Sequence, residues 1–259
     1  MNILKQVSLI LCSLVLVVSC IEDARGEDAD EKSDAVTKLK PPVTVRGGPV
    51  VREGTDPKAK LRVTSESEKA IARMVIHVLL YDDAGRIVNS IPHTHTQAGS
   101  TLERGETFTV GVADAFLTET VAKADGLITE IAYADGVMWP PMPAKPFQKE
   151  TDTPVAIRMI GYQSVGTYSR SFVACVNRSS KPVKGIEWEI CYFDAKGKEL
   201  LKTGYAWTNL RKNPLLEPGE GKVLSGGVGP PKETAEARAS IVRVTYIDGA
   251  VRETPEETP

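Results

Sequence analysis

In this 259-residue chain the side chains best suited to chemistry are three histidines, His77, His93 and His95, and two internal cysteines, Cys175 and Cys191. If the turn Asp82-Asp83-Ala84-Gly85 joins two strands that pair Leu80 with Val88, His77 falls opposite Ile91 and diagonal to His93. His95 then follows His93 on the same face. Imidazoles at diagonal and i, i+2 positions can share one Zn²⁺ or Cu²⁺, which makes metal binding the alternative expectation for this stretch. Against it, the positions 112 residues later hold Glu189, Tyr205 and Trp207, so the same face accepts rings in general, and no metal ligand is assigned.

Cys175 and Cys191 can be bridged in an oxidising compartment, but Cys191 has the polar parity of its strand, and both readings stay open. Neither thiol has a histidine in its own half of the chain to act as base. Tyr205 and Trp207 are the candidate partner-binding residues. If Tyr192 pairs with Leu200, strand parity turns both rings away from the core, where they can anchor a protein or stack on a sugar. The competing reading is that a bend turns them inward to cap the core. There is no Gly-rich phosphate loop, Gly-x-Ser-x-Gly elbow, His-Glu-x-x-His or Cys-x-x-Cys motif, so the expectation is a protein that is not an enzyme, with no catalytic residue and no cofactor.

The most informative cysteine is Cys20. Lys5 precedes an apolar run from Val7 to Val18, shorter than the roughly 20 residues of a spanning helix and of signal-peptide length. The run ends in Val17-Val18-Ser19-Cys20, which resembles the lipobox of bacterial lipoproteins. That resemblance implies cleavage after residue 19, diacylation of Cys20 as the lipid attachment site, and a protein anchored in the cell envelope. Ile21 replaces the Asp that resembles an inner-membrane retention signal, which leans toward the outer membrane. Residues 22 to 34 carry seven acids against Arg25 and Lys32, so residues 20–42 are expected to form an acidic flexible tether.

The elements that position these residues are set by a duplication. Val78-Leu79-Leu80-Tyr81-Asp82-Asp83-Ala84-Gly85 lies over Ile190-Cys191-Tyr192-Phe193-Asp194-Ala195-Lys196-Gly197. Leu102-Glu103-Arg104-Gly105-Glu106 matches Leu216-Glu217-Pro218-Gly219-Glu220, and Ile131 to Gly136 match Val244 to Gly249. Ile186, Trp188, Ile190 and Tyr192 alternate with polar or soft residues, the period of a half-buried strand. Only Ala115 to Ala124 has helical spacing. The expected architecture is all-β: two tandem antiparallel β-sandwiches at 43–139 and 155–254, behind a signal peptide at 1–19 and the tether, with a proline-rich linker at 140–154.

The unit Val78-x-Leu80-Tyr81-Asp82-x-x-Gly85 followed by Leu102-x-x-Gly105-Glu106 resembles the immunoglobulin-like FxLYD-type domains of bacterial envelope lipoproteins. Val78 stands where that pattern has Phe, and the second copy reads Ile190-x-Tyr192-Phe193-Asp194. The resemblance implies a fold and no catalytic residue. A formal charge of −2 supplies no basic field for nucleic acid. The function expected is that of a membrane-anchored structural or protein-interaction (adhesion) module, meeting another envelope protein or a polysaccharide. The alternative is a periplasmic metal-binding lipoprotein.

Overall fold

The strand-forming alternation is realised throughout the computed structural model, which describes residues 36–53, 56–96, 100–143, 153–209, 214–226 and 228–253. The fold is all-β, with a single short 3₁₀ turn at Asp114–Phe116 and no α-helix among the described residues.

The first half contains β1 (Val43–Arg46), β2 (Gly48–Pro49), β3 (Val51–Glu53), β4 (Asp56–Ser65), β5 (Ile71–Tyr81), β6 (Ile87–Thr96), β7 (Thr107–Val112), β8 (Lys123–Tyr133) and β9 (Met138–Trp139). One sheet centres on β4, which pairs with β1, β3 and β7; the facing sheet runs β2-β8-β5-β6, with β9 on β8. Met74, Ile76, Val78 and Leu80 of β5 alternate onto one face and meet Leu61, Val63 and Val110 of the other sheet in a buried core.

The second half repeats this plan in β10 (Val155–Val165), β11 (Tyr168–Asn177), β12 (Val183–Phe193), β13 (Glu199–Thr208), β14 (Gly221–Gly226), β15 (Glu236–Tyr246) and β16 (Val251–Glu253). Its sheets are β10-β11-β14 and β13-β12-β15-β16, around Val173, Cys175, Ile186, Trp188, Ile190 and Tyr192. The likeness extends to single side chains. Lys69 reaches Asp135 at 2.7 Å and Lys181 reaches Asp248 at 2.8 Å, while the Glu106 and Glu220 carboxylates accept the amides of Glu103 and Glu217, each at 2.8 Å. These ion pairs are exposed and screened by solvent, so they record the shared geometry more than they hold it.

Each central hairpin turns as the Asp-x-x-Gly spacing predicts. The Gly85 amide donates to Asp82 and the Gly197 amide to Asp194, both at 3.0 Å, with φ at 74° and 78°. Immediately beyond each turn lies a β-bulge that spacing alone does not announce. Leu80 pairs with Asn89 where Val88 was expected, and Tyr192 with Leu201 where Leu200 was expected.

Two further expectations are corrected. Ala115 to Ala124 does not continue as a helix: the 3₁₀ turn ends at Phe116, the Arg52 guanidinium donates to the carbonyls of Thr118 (2.7 Å) and Val121 (2.9 Å), and β8 begins at Lys123. Leu117 and Val121 still enter the core. The segment assigned as tether is not free to its end. The Leu39 amide donates to Tyr162 (2.7 Å) and the Tyr162 amide to Thr37 (3.0 Å), so residues 37–39 lie on β10, parallel to it at Lys38. Residues 20–35 lie outside the described residues.

The two halves belong to one compact unit. Leu79, Tyr81 and Leu127 form a buried cluster on the face of β5 and β8 that points away from the first core, and Val165 and Tyr168 of the second half pack onto it.

Candidate functional site

The bulge at Tyr192 decides the place of the two candidate partner-binding aromatics. With Leu201 opposite Tyr192, Tyr205 pairs with Trp188 and Trp207 with Ile186, so both rings lie on the core face. This corrects the outward assignment: one inserted residue reverses the parity of everything beyond it. Both rings are half-buried and pack against the second core. The Tyr205 ring centre is 5.6 Å from that of Trp188, and its hydroxyl accepts the Val228 amide at 3.1 Å. Lys222 Nζ stands 5.3 Å from the centre of the Trp207 ring, a cation–π contact across the open side of the sandwich. Tyr192, deeper in the same group, donates to the Val228 carbonyl at 3.0 Å, and burial pushes its hydroxyl up to about 12. The geometry is that of a cap closing one end of the core.

The equivalent bulge of the first half, between Leu80 and Tyr81, separates the histidines. Ile76 pairs with His93 and Met74 with His95, both on the core face, whereas His77 pairs with Pro92 and lies on the other face of the sheet. The diagonal from His77 to His93 therefore does not form. Among the described residues no three His, Cys, Asp or Glu side chains are grouped to hold a metal ion. His95 stacks on Phe108 with ring centres 3.7 Å apart, at the position where the second half sets Trp207 beside Lys222. Burial, followed by the neighbouring His93, lowers the pKa of His95 below the ordinary histidine value.

Cys175 and Cys191 are both free thiols. Cys175 belongs to the second core, where its thiol donates to the Lys222 carbonyl at 3.3 Å and burial pushes it up to about 12, so it carries no nucleophilic thiolate at neutral pH. Cys191 lies on the opposite face of β12, facing Lys202 and Arg238 on the neighbouring strands, and is half-exposed. The parity argument against a bridge thus describes the structure. Cys20 lies outside the described residues, and among the described residues no helix is long and apolar enough to cross a membrane.

Two features were not singled out in the sequence. The first is a polar contact at the junction of the halves. Arg170 of β11 donates to His77 Nδ1 at 3.1 Å and to the Tyr168 hydroxyl at 3.3 Å, while Tyr81 donates to the Val165 carbonyl at 3.3 Å. A guanidinium has only donors, so His77 Nδ1 must accept and the ring is neutral. Burial first, and then the Arg170 charge, lower the pKa of His77 to about 4. The only sequence signal was a charged residue inside an otherwise strand-like stretch. The second is an open groove of about 450 Å³ between Val36–Leu39, Pro140–Pro143 and β10. It is mainly apolar, with Arg158 among the residues of its wall.

No protein-family model matches this chain, and no curated protein matches it. Among solved structures, it is similar to a hypothetical protein from Peptoclostridium difficile 630 at 10% identity and a TM-score of 0.30, over 41% of this chain and 89% of that one. It is also similar to red sea bream transglutaminase at 12% identity and a TM-score of 0.22, over 82% of this chain but 29% of that one. Likeness at these scores carries no functional argument.

Proposed function

We propose that the chain is a lipid-anchored protein of the bacterial cell envelope, at the outer membrane in preference to the inner, acting as a structural or protein-interaction module. On this reading its two sandwiches are immunoglobulin-like, of the FxLYD type, and meet another envelope protein or a polysaccharide. The observation that carries the reading is Val17-Val18-Ser19-Cys20 behind Lys5 and an apolar run. Acyl chains on Cys20 contribute about 0.8 kcal/mol for each buried CH₂ group, so an anchor with two or three chains is effectively permanent.

The fold supports this division of labour. Among the described residues, the first strand contact beyond Cys20 is that of Thr37 on β10, so a pull passed along the chain to Thr37 arrives at a paired strand of the second sandwich. The intervening residues 21–36 allow a reach of at most about 55 Å. Cys20→Ser is expected to move the protein from membranes to the soluble fraction, or to leave an unprocessed precursor, because serine offers no thiol to acylate. Membrane fractionation and intact mass both unchanged in that variant overturn the reading.

A further inference from the structure

The long edge strands of the two sandwiches are treated unequally. An edge strand leaves a row of amides and carbonyls unpaired, and proteins usually cover or interrupt such rows. β10 is partly covered by Thr37–Leu39. β6 is interrupted by Pro92, opposite His77, and proline is tolerated in a ladder where its missing N–H would point to the open side. β13 takes in the second sandwich the place of β6 in the first, and the position corresponding to Pro92, opposite Glu189, is Gly204. Among the described residues β13 pairs with β12 alone. Lys202, Gly204, Ala206 and Thr208 are exposed, and a Cβ built on Gly204 meets nothing within 4 Å. By the alternation of an antiparallel ladder these four residues share the orientation of Pro92, so they aim their amides and carbonyls outward.

We propose that β13 is a docking edge whose occupant is β13 of a second copy of this chain, paired antiparallel about a two-fold axis at Gly204. This deepens the interaction-module reading by naming the partner. In that register Lys202 faces the partner's Ala206, Thr203 faces the partner's Tyr205, and Leu201 faces the partner's Trp207. No like charges meet, and Lys202 keeps Glu189 as its counter-ion at 2.9 Å. An axis at Lys202 would oppose two ammonium groups, an axis at Thr203 would set Glu199 against Trp207, and axes at Tyr205 or Ala206 would leave more of β13 unpaired, so charge, polarity and length of pairing together select the Gly204 register. The sheet β13-β12-β15-β16 then continues across the axis into its equivalent. Because the two-fold uses both β13 edges, the assembly closes at two copies.

Sedimentation of the full chain in detergent, corrected for bound detergent, is expected to give twice the chain's protein mass. Gly204→Pro copies into β13 the device present at Pro92, and Gly204→Lys sets like charges across the axis in open space. Each is expected to halve the mass at the same concentration, and to abolish the rise of the thermal unfolding midpoint with protein concentration that pairing gives the parent. Amide exchange at Lys202, Gly204, Ala206 and Thr208 is expected to be slow in the parent and to lose that protection in Gly204→Lys. If Gly204→Pro fails to fold, Gly204→Lys decides alone. A parent that stays at one chain mass across the concentration series, or a double mass that survives Gly204→Lys, overturns the proposal. Neither result touches the Cys20→Ser outcome, so the self-pairing and the anchored-module reading fail separately.

Discussion

Trp207 shows how a single inserted residue changes what a side chain is for. Read with uninterrupted pairing, its ring faces solvent and belongs to a partner; with the bulge at Tyr192 it packs on the second core beside Ile186 and under Lys222. Trp207→Ala is therefore expected to cost about 2–3 kcal/mol in denaturant unfolding, below the 3–5 kcal/mol of a fully buried ring because this one is half-exposed. A loss under about 0.5 kcal/mol, the size of an ordinary surface substitution, would return the ring to solvent. His93 and His95 follow the same logic in the first half, where a stacked His95–Phe108 pair takes the place of the ring and ammonium.

Among the elements, β10 holds the least expected feature. Gly161 has φ 149°, and a Cβ there would come 2.5 Å from the Thr37 carbonyl oxygen and 2.7 Å from the Leu39 side chain. Only glycine lets the N-terminal segment lie this close to the strand. Gly161→Val is expected to detach residues 37–39 and to destabilise the chain by about 1–3 kcal/mol through backbone strain. The Tyr162 amide, which donates to Thr37, should lose hydrogen-exchange protection while Val173 and Ile190 of the core keep theirs. Unchanged protection at Tyr162 would show that the segment is not held there. The hairpins, by contrast, were legible residue by residue, because Asp-x-x-Gly and Asp-Gly turns are local chemistry that needs no tertiary partner.

At the scale of the whole molecule, the two halves share the cluster of Leu79, Tyr81 and Leu127 with Val165 and Tyr168, with the His77–Arg170 contact beside it. Ser90 also borders that histidine, Tyr168 shares its Arg170 partner, and Asp125 lies near Tyr81 on the same side of the sheet. His77 ordinarily titrates near 6.5, but the fold lowers it to about 4. Its contribution is complete above pH 6.5. As the pH falls from there toward 4 the unfolded chain takes a proton that the folded chain refuses, so stability declines across that window and levels off below it. His77→Gln, which cannot charge, is expected to flatten this part of the stability-against-pH curve in thermal unfolding. An equal acid loss in parent and variant would place the responsible group elsewhere.

What the sequence by itself determined is whatever depends on near neighbours or on repetition. The strand class follows from the alternation of Ile186, Trp188, Ile190 and Tyr192, and the turns from Asp and Gly at set spacings. The doubled plan follows from three matches in order, and the expectation of an anchor from Cys20 in its box. Tertiary structure alone decided the faces, because a bulge is chosen by how β12 and β13 twist against their cores and leaves no residue type behind as a mark. It alone also decided that Leu79 and Leu127 bury against the second half and that Thr37–Leu39 close onto β10. Those contacts join residues distant in the chain, where the energy lies in complementary surfaces that no local pattern encodes.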